Sequence, residues 1–199
     1  MLGKALISLA VLTILVNVST SANAQSRNLL QNPNADSGAT FWHSVGEATV
    51  ETTTGTDSCF VVRNGGHFFQ DVDIAGNAAG QYIVLIGRGA SERINPDGAL
   101  TGLPYLYGYL MEPGRADKKE ILAYLEDQGM RAQTTSQNEW VNMWGIFKVP
   151  ERTKRVRFFL SQVLREGVPH NGSAARFGDL GLYLFTTKGE AEAFVAQYH

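Results

Sequence analysis

The sequence predicts an all-β domain, an antiparallel jelly-roll-like β-sandwich with a short C-terminal α-helix. Short runs with period-two alternation recur from Asn28 onward, as half-buried strands require. Gly, Asn, Asp and Pro separate those runs, and no helical period intervenes before the end of the chain, which favours an antiparallel sandwich over a parallel α/β sheet. The last segment, Thr187-Lys188-Gly189-Glu190, has the form of a capping box, and Ala191, Phe194, Val195 and Tyr198 follow at helical spacing.

Residues 1–24 read as a leader rather than as part of the fold. Lys4 precedes the apolar run Ala5–Val16, a polar stretch follows, and Ala22-Asn23-Ala24 has the form of a cleavage site. The run is short against the roughly 20 residues that span a bilayer, and no later stretch is long enough to span. The alternative is an uncleaved anchor. A leader implies a secreted or periplasmic protein, with the sandwich over residues 25–186 and the helix over 187–199.

The candidate strands, in order, are Thr40–Ser44, Ala48–Thr53, Cys59–Arg63, His67–Ile74, Tyr82–Gly89, Tyr105–Met111, Ile121–Glu126, Trp140–Lys148, Arg155–Gln162 and Ala175–Phe185. Asn64-Gly65-Gly66 can supply the positive φ angles of a tight hairpin between two of them. Asn95-Pro96-Asp97-Gly98 has the chemistry of a loop. The helix presents one apolar face, which either packs on its own sandwich or docks on another protein chain.

Composition bounds the function. The chain has 199 residues, 17 Lys and Arg against 19 Asp and Glu, and a net charge of -2. That balance excludes a polybasic surface holding nucleic acid by bulk charge. A single cysteine, Cys59, excludes an intrachain disulfide and a cysteine-cluster zinc site. Cys59 sits in the apolar run Cys59-Phe60-Val61-Val62, as a small buried hydrophobe does. Asn171-Gly172-Ser173 is a glycosylation acceptor in a eukaryotic host only.

No catalytic motif is present. There is no G-x-S-x-G, no H-E-x-x-H and no P-loop. The histidines, His43, His67, His170 and His199, match no metal spacing, and Glu126 and Asp127, adjacent on a strand, point to opposite faces. The candidate chemistry is recognition. In Tyr105-Leu106-Tyr107-Gly108-Tyr109-Leu110 a strand places three tyrosines on one face and the leucines on the other. A row of aromatic rings with planar polar groups suits the stacking and hydroxyl reading of a carbohydrate. Asn142 and Trp144 share a face of the late strand, and Arg155 and Arg157 share a face of the next. The expected ligand cleft comprises Tyr105, Tyr107, Tyr109, Asn142, Trp144, Arg157 and Arg88. Alternatively the tyrosines pack under loops or the helix, and the arginines are solvated.

Three stretches resemble galactose-binding-like sandwich domains. Asn28-Leu29-Leu30-Gln31-Asn32-Pro33 followed by Phe41-Trp42 is similar to their opening. Trp140 with Gly145–Pro150 and Thr153–Phe158 is similar to their late strand pair, and Ala175–Tyr183 to their closing strand. The resemblance extends to carbohydrate-binding modules of families 4, 9 and 22 and to the F-box-associated domain. It implies a module that binds a carbohydrate or a glycoprotein glycan, the alternative being a structural or protein-interaction subunit of an extracellular or envelope assembly; Trp42 and Trp140, each in a strand, are expected to fill the space between the sheets. It also implies a structural calcium ion held near Asn34, Asp36 and Asp179, although Gly178 stands where relatives carry a second closing aspartate. The loop by which F-box-associated domains hold glycan corresponds to Val168–Ser173, which has no Trp, Tyr or Lys.

Overall fold

The structure, a computed structural model, describes residues 27–52, 57–74, 76–92, 102–114, 120–132, 136–163 and 173–198. The leader, the Asn95–Gly98 loop and the segment from Val168 to Gly172 lie outside the described residues. Among the described residues no helix is long and apolar enough to cross a membrane.

Among the described residues eight strands form: β1 (His43–Thr52), β2 (Ser58–Asp73), β3 (Tyr82–Ser91), β4 (Pro104–Met111), β5 (Ile121–Leu125), β6 (Val141–Lys148), β7 (Arg155–Gln162) and β8 (Ala175–Phe185). A 3₁₀ turn, Gln128–Met130, follows β5, and the helix α1 spans Lys188–Val195. The hydrogen-bonded order is β5-β4-β7-β2-β8-β3-β6, with β1 beside β2. Every pairing is antiparallel.

β2 belongs to both leaves of the sandwich. Phe60–Val62 pair with β8, whereas Phe68–Asp73 pair with β7. One leaf is therefore β5-β4-β7 with the second half of β2, and the other is the first half of β2 with β8-β3-β6. The strand bends between these halves at Asn64-Gly65-Gly66. The expected hairpin is not formed there, and the two segments predicted around it are one continuous strand. The left-handed angles occur, with φ of 48° at Asn64 and 78° at Gly65, but they make a bulge. Three residues of β2 stand opposite Gly46 of β1, where the register shifts between Val45 and Glu47. A Cβ on Gly66 would lie 2.5 Å from the Glu47 carbonyl oxygen, so only glycine admits the two backbones so close. Asn64 Nδ2 donates to Glu47 Oε2 at 2.8 Å across the same bend. β1 bends in step, which is why the predicted strands Thr40–Ser44 and Ala48–Thr53 appear as one strand that starts only at His43.

The inner faces of the two leaves share one core. Leu106, Leu110, Val156, Phe158 and Phe68 from the first leaf meet Ile83, Leu85, Met143, Phe177 and Leu182 from the second. The leucine face of β4 is thus the buried one, with Leu106 and Leu110 fully covered. Trp42 also joins this core, against Phe60 at 4.8 Å between ring centroids. The opening motif closes the sandwich by side-chain pairing. Asn28 Nδ2 donates to the Leu180 carbonyl, and its Oδ1 accepts from the backbone N–H of Leu30 and Leu182. Buried Gln70 grips both polar backbone atoms of Gln31 in the same manner.

α1 covers the outer face of the second leaf. Ala191 and Val195 are buried against Val84 and Ile86, with Trp144, Tyr183, Phe185, Phe194 and Tyr198 around them. The apolar face of the helix is therefore spent on its own sandwich. The capping box is complete: Glu190 N–H donates to Thr187 Oγ1, and Thr187 N–H donates to Glu190 Oε2. A helix of eight residues is marginal in isolation, so packing rather than propensity holds it.

The close approach at the bend makes a direct prediction. Gly66→Ala should lower the free energy of unfolding by about 2 kcal/mol or more, because the atom met is backbone. Gly189→Ala, in α1 with open space around it, should leave stability unchanged or raise it by about 0.5 kcal/mol. Urea unfolding midpoints of the two variants test the contrast.

Candidate functional site

The outer face of the first leaf is an ordered lattice of aromatic and charged side chains. Because Leu106 and Leu110 face inward, Tyr105, Tyr107 and Tyr109 face outward on β4. The register carries each tyrosine into a row across the leaf. Tyr107 stands opposite Phe159 of β7, Phe159 opposite Phe69 of β2, and Phe69 opposite His43 of β1. The ring centroids along that row are 4.4 Å, 5.5 Å and 4.8 Å apart. The next row runs from Tyr124 of β5 through Tyr109 and Arg157 to Asp71. His67, two residues before Phe69 on β2, packs beside Phe69 and Phe159.

The ring orientations decide what this face can offer. Neighbouring strands lie about 4.8 Å apart. Tyr107 and Phe159, parallel to within 4° at 4.4 Å, therefore stand up from the sheet with their faces against each other. The centre of the face presents ring edges and tyrosine hydroxyls. Burial pushes the hydroxyl pKa of Tyr105, Tyr107 and Tyr109 upward, so each stays protonated and can both donate and accept. Tyr124 differs: it is 63% exposed and lies nearly perpendicular to Tyr109. It is the ring on β5 whose surface is open to solvent.

Ion pairs hold the polar half of the lattice. Arg157 grips Asp71 with two bonds, Nε to Oδ1 at 2.6 Å and Nη2 to Oδ2 at 2.8 Å. Arg155 Nε bonds Asp73 Oδ1 at 2.7 Å. The Arg157 hydrogen bonds hold the Asp71 carboxyl below the usual carboxylate range, against the opposing effect of burial. The Arg157 guanidinium lies 4.7 Å from the centre of the Phe69 ring, and Arg131 lies 5.0 Å from that of Tyr105. These contacts fix the guanidinium planes as well as their charge.

The predicted cleft of seven residues does not form. Tyr105, Tyr107, Tyr109 and Arg157 come together, but Asn142, Trp144 and Arg88 belong to the other leaf. Trp144 packs beneath α1, and Asn142 Nδ2 donates to the Tyr198 carbonyl at 2.7 Å. Period-two alternation assigns these side chains to an outer face correctly, but it does not say which leaf owns the strand. Sequence reasoning missed Tyr124, Phe159, Phe69, His43, His67 and Asp71. The alternating His67, Phe69 and Asp71 of β2 were the available signal. Asp127, considered there only as an acid, caps the 3₁₀ turn by accepting from Gly129 N–H.

Arg88 instead borders a second feature, an open pocket of about 330 Å³ at the edge of the second leaf. Asn34, Asp36, Asp57, Trp140 and Asp179 line it too. Trp140 is a correction: it stands just before β6, half-buried on this pocket rather than in the central core. The expected calcium residues Asn34, Asp36 and Asp179 do border one space. The arrangement nevertheless does not fit that ion, because Asp179 is paired with the Arg88 guanidinium at 3.3 Å. Nor do any three acidic, histidine or cysteine side chains among the described residues converge as metal ligands.

Two expectations follow. Asp71→Asn should destabilise the fold by about 1–2 kcal/mol at neutral pH, since it leaves Arg157 without its bidentate acceptor. Because the folded-state pKa of Asp71 is depressed, this stability is present above the unfolded value near 4 and is lost as pH falls through the folded one. The gap between wild type and variant should therefore close in acid, as read from unfolding midpoints at pH 7 and below pH 3. Chelation of divalent ions should leave the thermal midpoint unchanged.

No protein-family profile matches the chain, and no curated protein matches it. Solved structures do. The CBM22-1 xylan-binding domain from Paenibacillus barcinonensis Xyn10C superposes with a TM-score of 0.53 at 12% identity, covering 81% of this chain and 97% of that one. TmCBM61, solved in complex with β-1,4-galactotriose, gives 0.50 at 18% identity, covering 81% of this chain and all of its own. The enzymatically active domain of bacteriophage CBA120 tailspike protein 4 gives 0.54 at 11% identity over 79% of this chain. This chain spans only 21% of that tailspike structure. At these identities the likeness is one of fold: the chain has the β-sandwich fold of these carbohydrate-binding modules, consistent with the resemblance to galactose-binding-like domains.

Proposed function

We propose that the protein is an exported, noncatalytic carbohydrate-binding module that holds a glycan chain on the outer face of its first leaf. The observation that carries this reading is the face itself. It crosses β5, β4, β7, β2 and β1 without a break in its aromatic and planar polar side chains, from Tyr124 to His43. Four strand spacings of about 4.8 Å make a track of roughly 19 Å, long enough for several sugar rings in a row. Tyrosine hydroxyls and the fixed Arg157 and Arg131 guanidiniums can bond sugar hydroxyls, and Tyr124 supplies an open ring for stacking. The neighbours described as xylan-binding or solved with galactotriose support the same class of ligand.

Binding without reaction is supported by the state of the carboxylates on this face. Asp71 and Asp73 are each tied to arginine, which removes these two from acid and base work, and Glu126 beside the tyrosines bonds Tyr105. The leader expected in residues 1–24 supports export, where polysaccharides and glycoproteins are met.

Affinity electrophoresis against soluble xylan, galactan and β-glucan tests the reading. At least one polysaccharide should retard the protein, and Tyr124→Ala should weaken that binding about tenfold, the loss of one stacking ring. Its exposure means that the unfolding midpoint should not move. Trp144→Ala should do the reverse, costing about 2–4 kcal/mol of stability beneath α1 while leaving the affinity of the folded fraction unchanged. Retention of full binding by Tyr124→Ala would contradict the assignment.

A further inference from the structure

We propose that the pocket bordered by Trp140, Arg88 and Asp179 is a second binding site, which takes a single uncharged sugar residue independently of the first leaf. The pocket belongs to the other leaf, and its volume of about 330 Å³ lies at the small end of ligand sites, so it suits one ring rather than a chain. Its walls combine the groups that a pyranose requires. Trp140 lies against Gly178, with ring atoms 3.7 Å and 3.8 Å from where a Cβ would stand. The indole therefore packs on the backbone of β8 at this point, at ordinary van der Waals distance. The indole offers an apolar face to sugar C–H groups.

The polar groups are placed by a distortion of the sheet. The register of β3 and β8 shifts between Ile86 and Arg88, and Asp179 takes a left-handed φ of 50°. A bulge of this kind re-aims a side chain, and here it brings Asp179 to the Arg88 guanidinium at 3.3 Å. Their side chains are 58% and 42% exposed. Both side chains border the pocket, and because a guanidinium has five donors and a carboxylate about four acceptor sites, their one contact at 3.3 Å does not exhaust either. The Arg88 guanidinium lies over the Trp140 ring, 5.8 Å from its centre, so the sugar stacks on the part of the indole that the guanidinium leaves open. Adjacent sugar hydroxyls can donate to Asp179 and accept from Arg88. Asn34 and Asp36 are exposed on the facing loop, where buried Ala35 holds a φ of 60° between them. Three aspartates, Asp36, Asp57 and Asp179, line the pocket with one arginine. The field is therefore negative, and it selects against uronic and sialic acids.

The test uses glucose, galactose, mannose and N-acetylglucosamine, with glucuronate as the charged control. Trp140 is the reporter, because Trp42 is buried in the core and Trp144 lies under α1. At least one neutral sugar should produce a saturable change in tryptophan emission, confirmed by saturation-transfer NMR, and glucuronate should not. Arg88→Ala should weaken that binding at least about tenfold, and Asp179→Asn provides a second variant that keeps the side-chain shape. Tyr124→Ala should leave it unchanged. The proposal fails if no neutral sugar binds, if glucuronate binds equally well, or if folded Arg88→Ala or Asp179→Asn binds as wild type. Loss of monosaccharide binding in Tyr124→Ala would also overturn it, by placing the sugar on the first leaf. Polysaccharide binding without monosaccharide binding would remove this site and leave the face intact; the converse result would remove the face alone.

Discussion

Both leaves of the sandwich depend on the bend in β2. A single strand can serve two leaves only if its backbone changes direction without losing its partners, and here the change is confined to Asn64-Gly65-Gly66. The neighbouring strand must follow, which requires Gly46 with its φ of 64° and a contact that no side chain could enter at Gly66. Phe60 and Val62 on one side of the bend, and Phe68 and Val72 on the other, then point into the same core. Burying each such side chain is worth about 1.5–3 kcal/mol, so a small distortion at the glycines secures a large apolar gain. Gln162 supports the same corner from β7: its Nε2 donates to the Ser173 carbonyl, and its Oε1 accepts from Gly65 N–H.

Once the leaves are fixed, their outer faces have different fates. The second leaf is apolar outside where α1 lies, with Val84 and Ile86 on the surface that the helix seals, and turns polar beyond it at Arg88 and Asp179. The first leaf carries aromatic rings interleaved with ion pairs, and its residues satisfy one another laterally. Tyr107 leans on Phe159, Phe69 on His43, and Arg157 on Asp71. Such a face is stable in water without a cover and remains able to take a ligand that brings both apolar ring faces and hydroxyls. The same division places Trp144, the ring that suits stacking best by residue type, where it cannot meet a ligand.

Much of this architecture was legible in local pattern, and the failures were failures of pairing. β7 and β8 run over the expected residues because their alternation is unbroken, and α1 begins at the expected cap because Thr187 and Glu190 complete each other. The outward row of Tyr105, Tyr107 and Tyr109 followed from its alternation with Leu106 and Leu110. What Tyr107 would meet did not follow, because Phe159 is 52 positions away in the chain and reaches it only through the register of β4 with β7. Asn64-Gly65-Gly66 was ambiguous for a related reason. Left-handed residues between two β runs make a hairpin if the runs pair with each other, and a bend if each pairs elsewhere. Trp144 and Asn142 were assigned to an outer face correctly but to the wrong leaf. The opening Asn28 was legible as a resemblance, and its cause lies in the backbone of β8 that it holds.

The central claim is that a glycan chain lies across the first leaf. Chemical-shift mapping by NMR, with the polysaccharide fragment that binds best, tests it most directly. The account predicts that the largest shifts fall on Tyr107, Tyr109, Tyr124 and Arg157, with Trp144 and Phe194 unmoved. Shifts concentrated on Trp144 and α1, with the tyrosines of β4 silent, would contradict it.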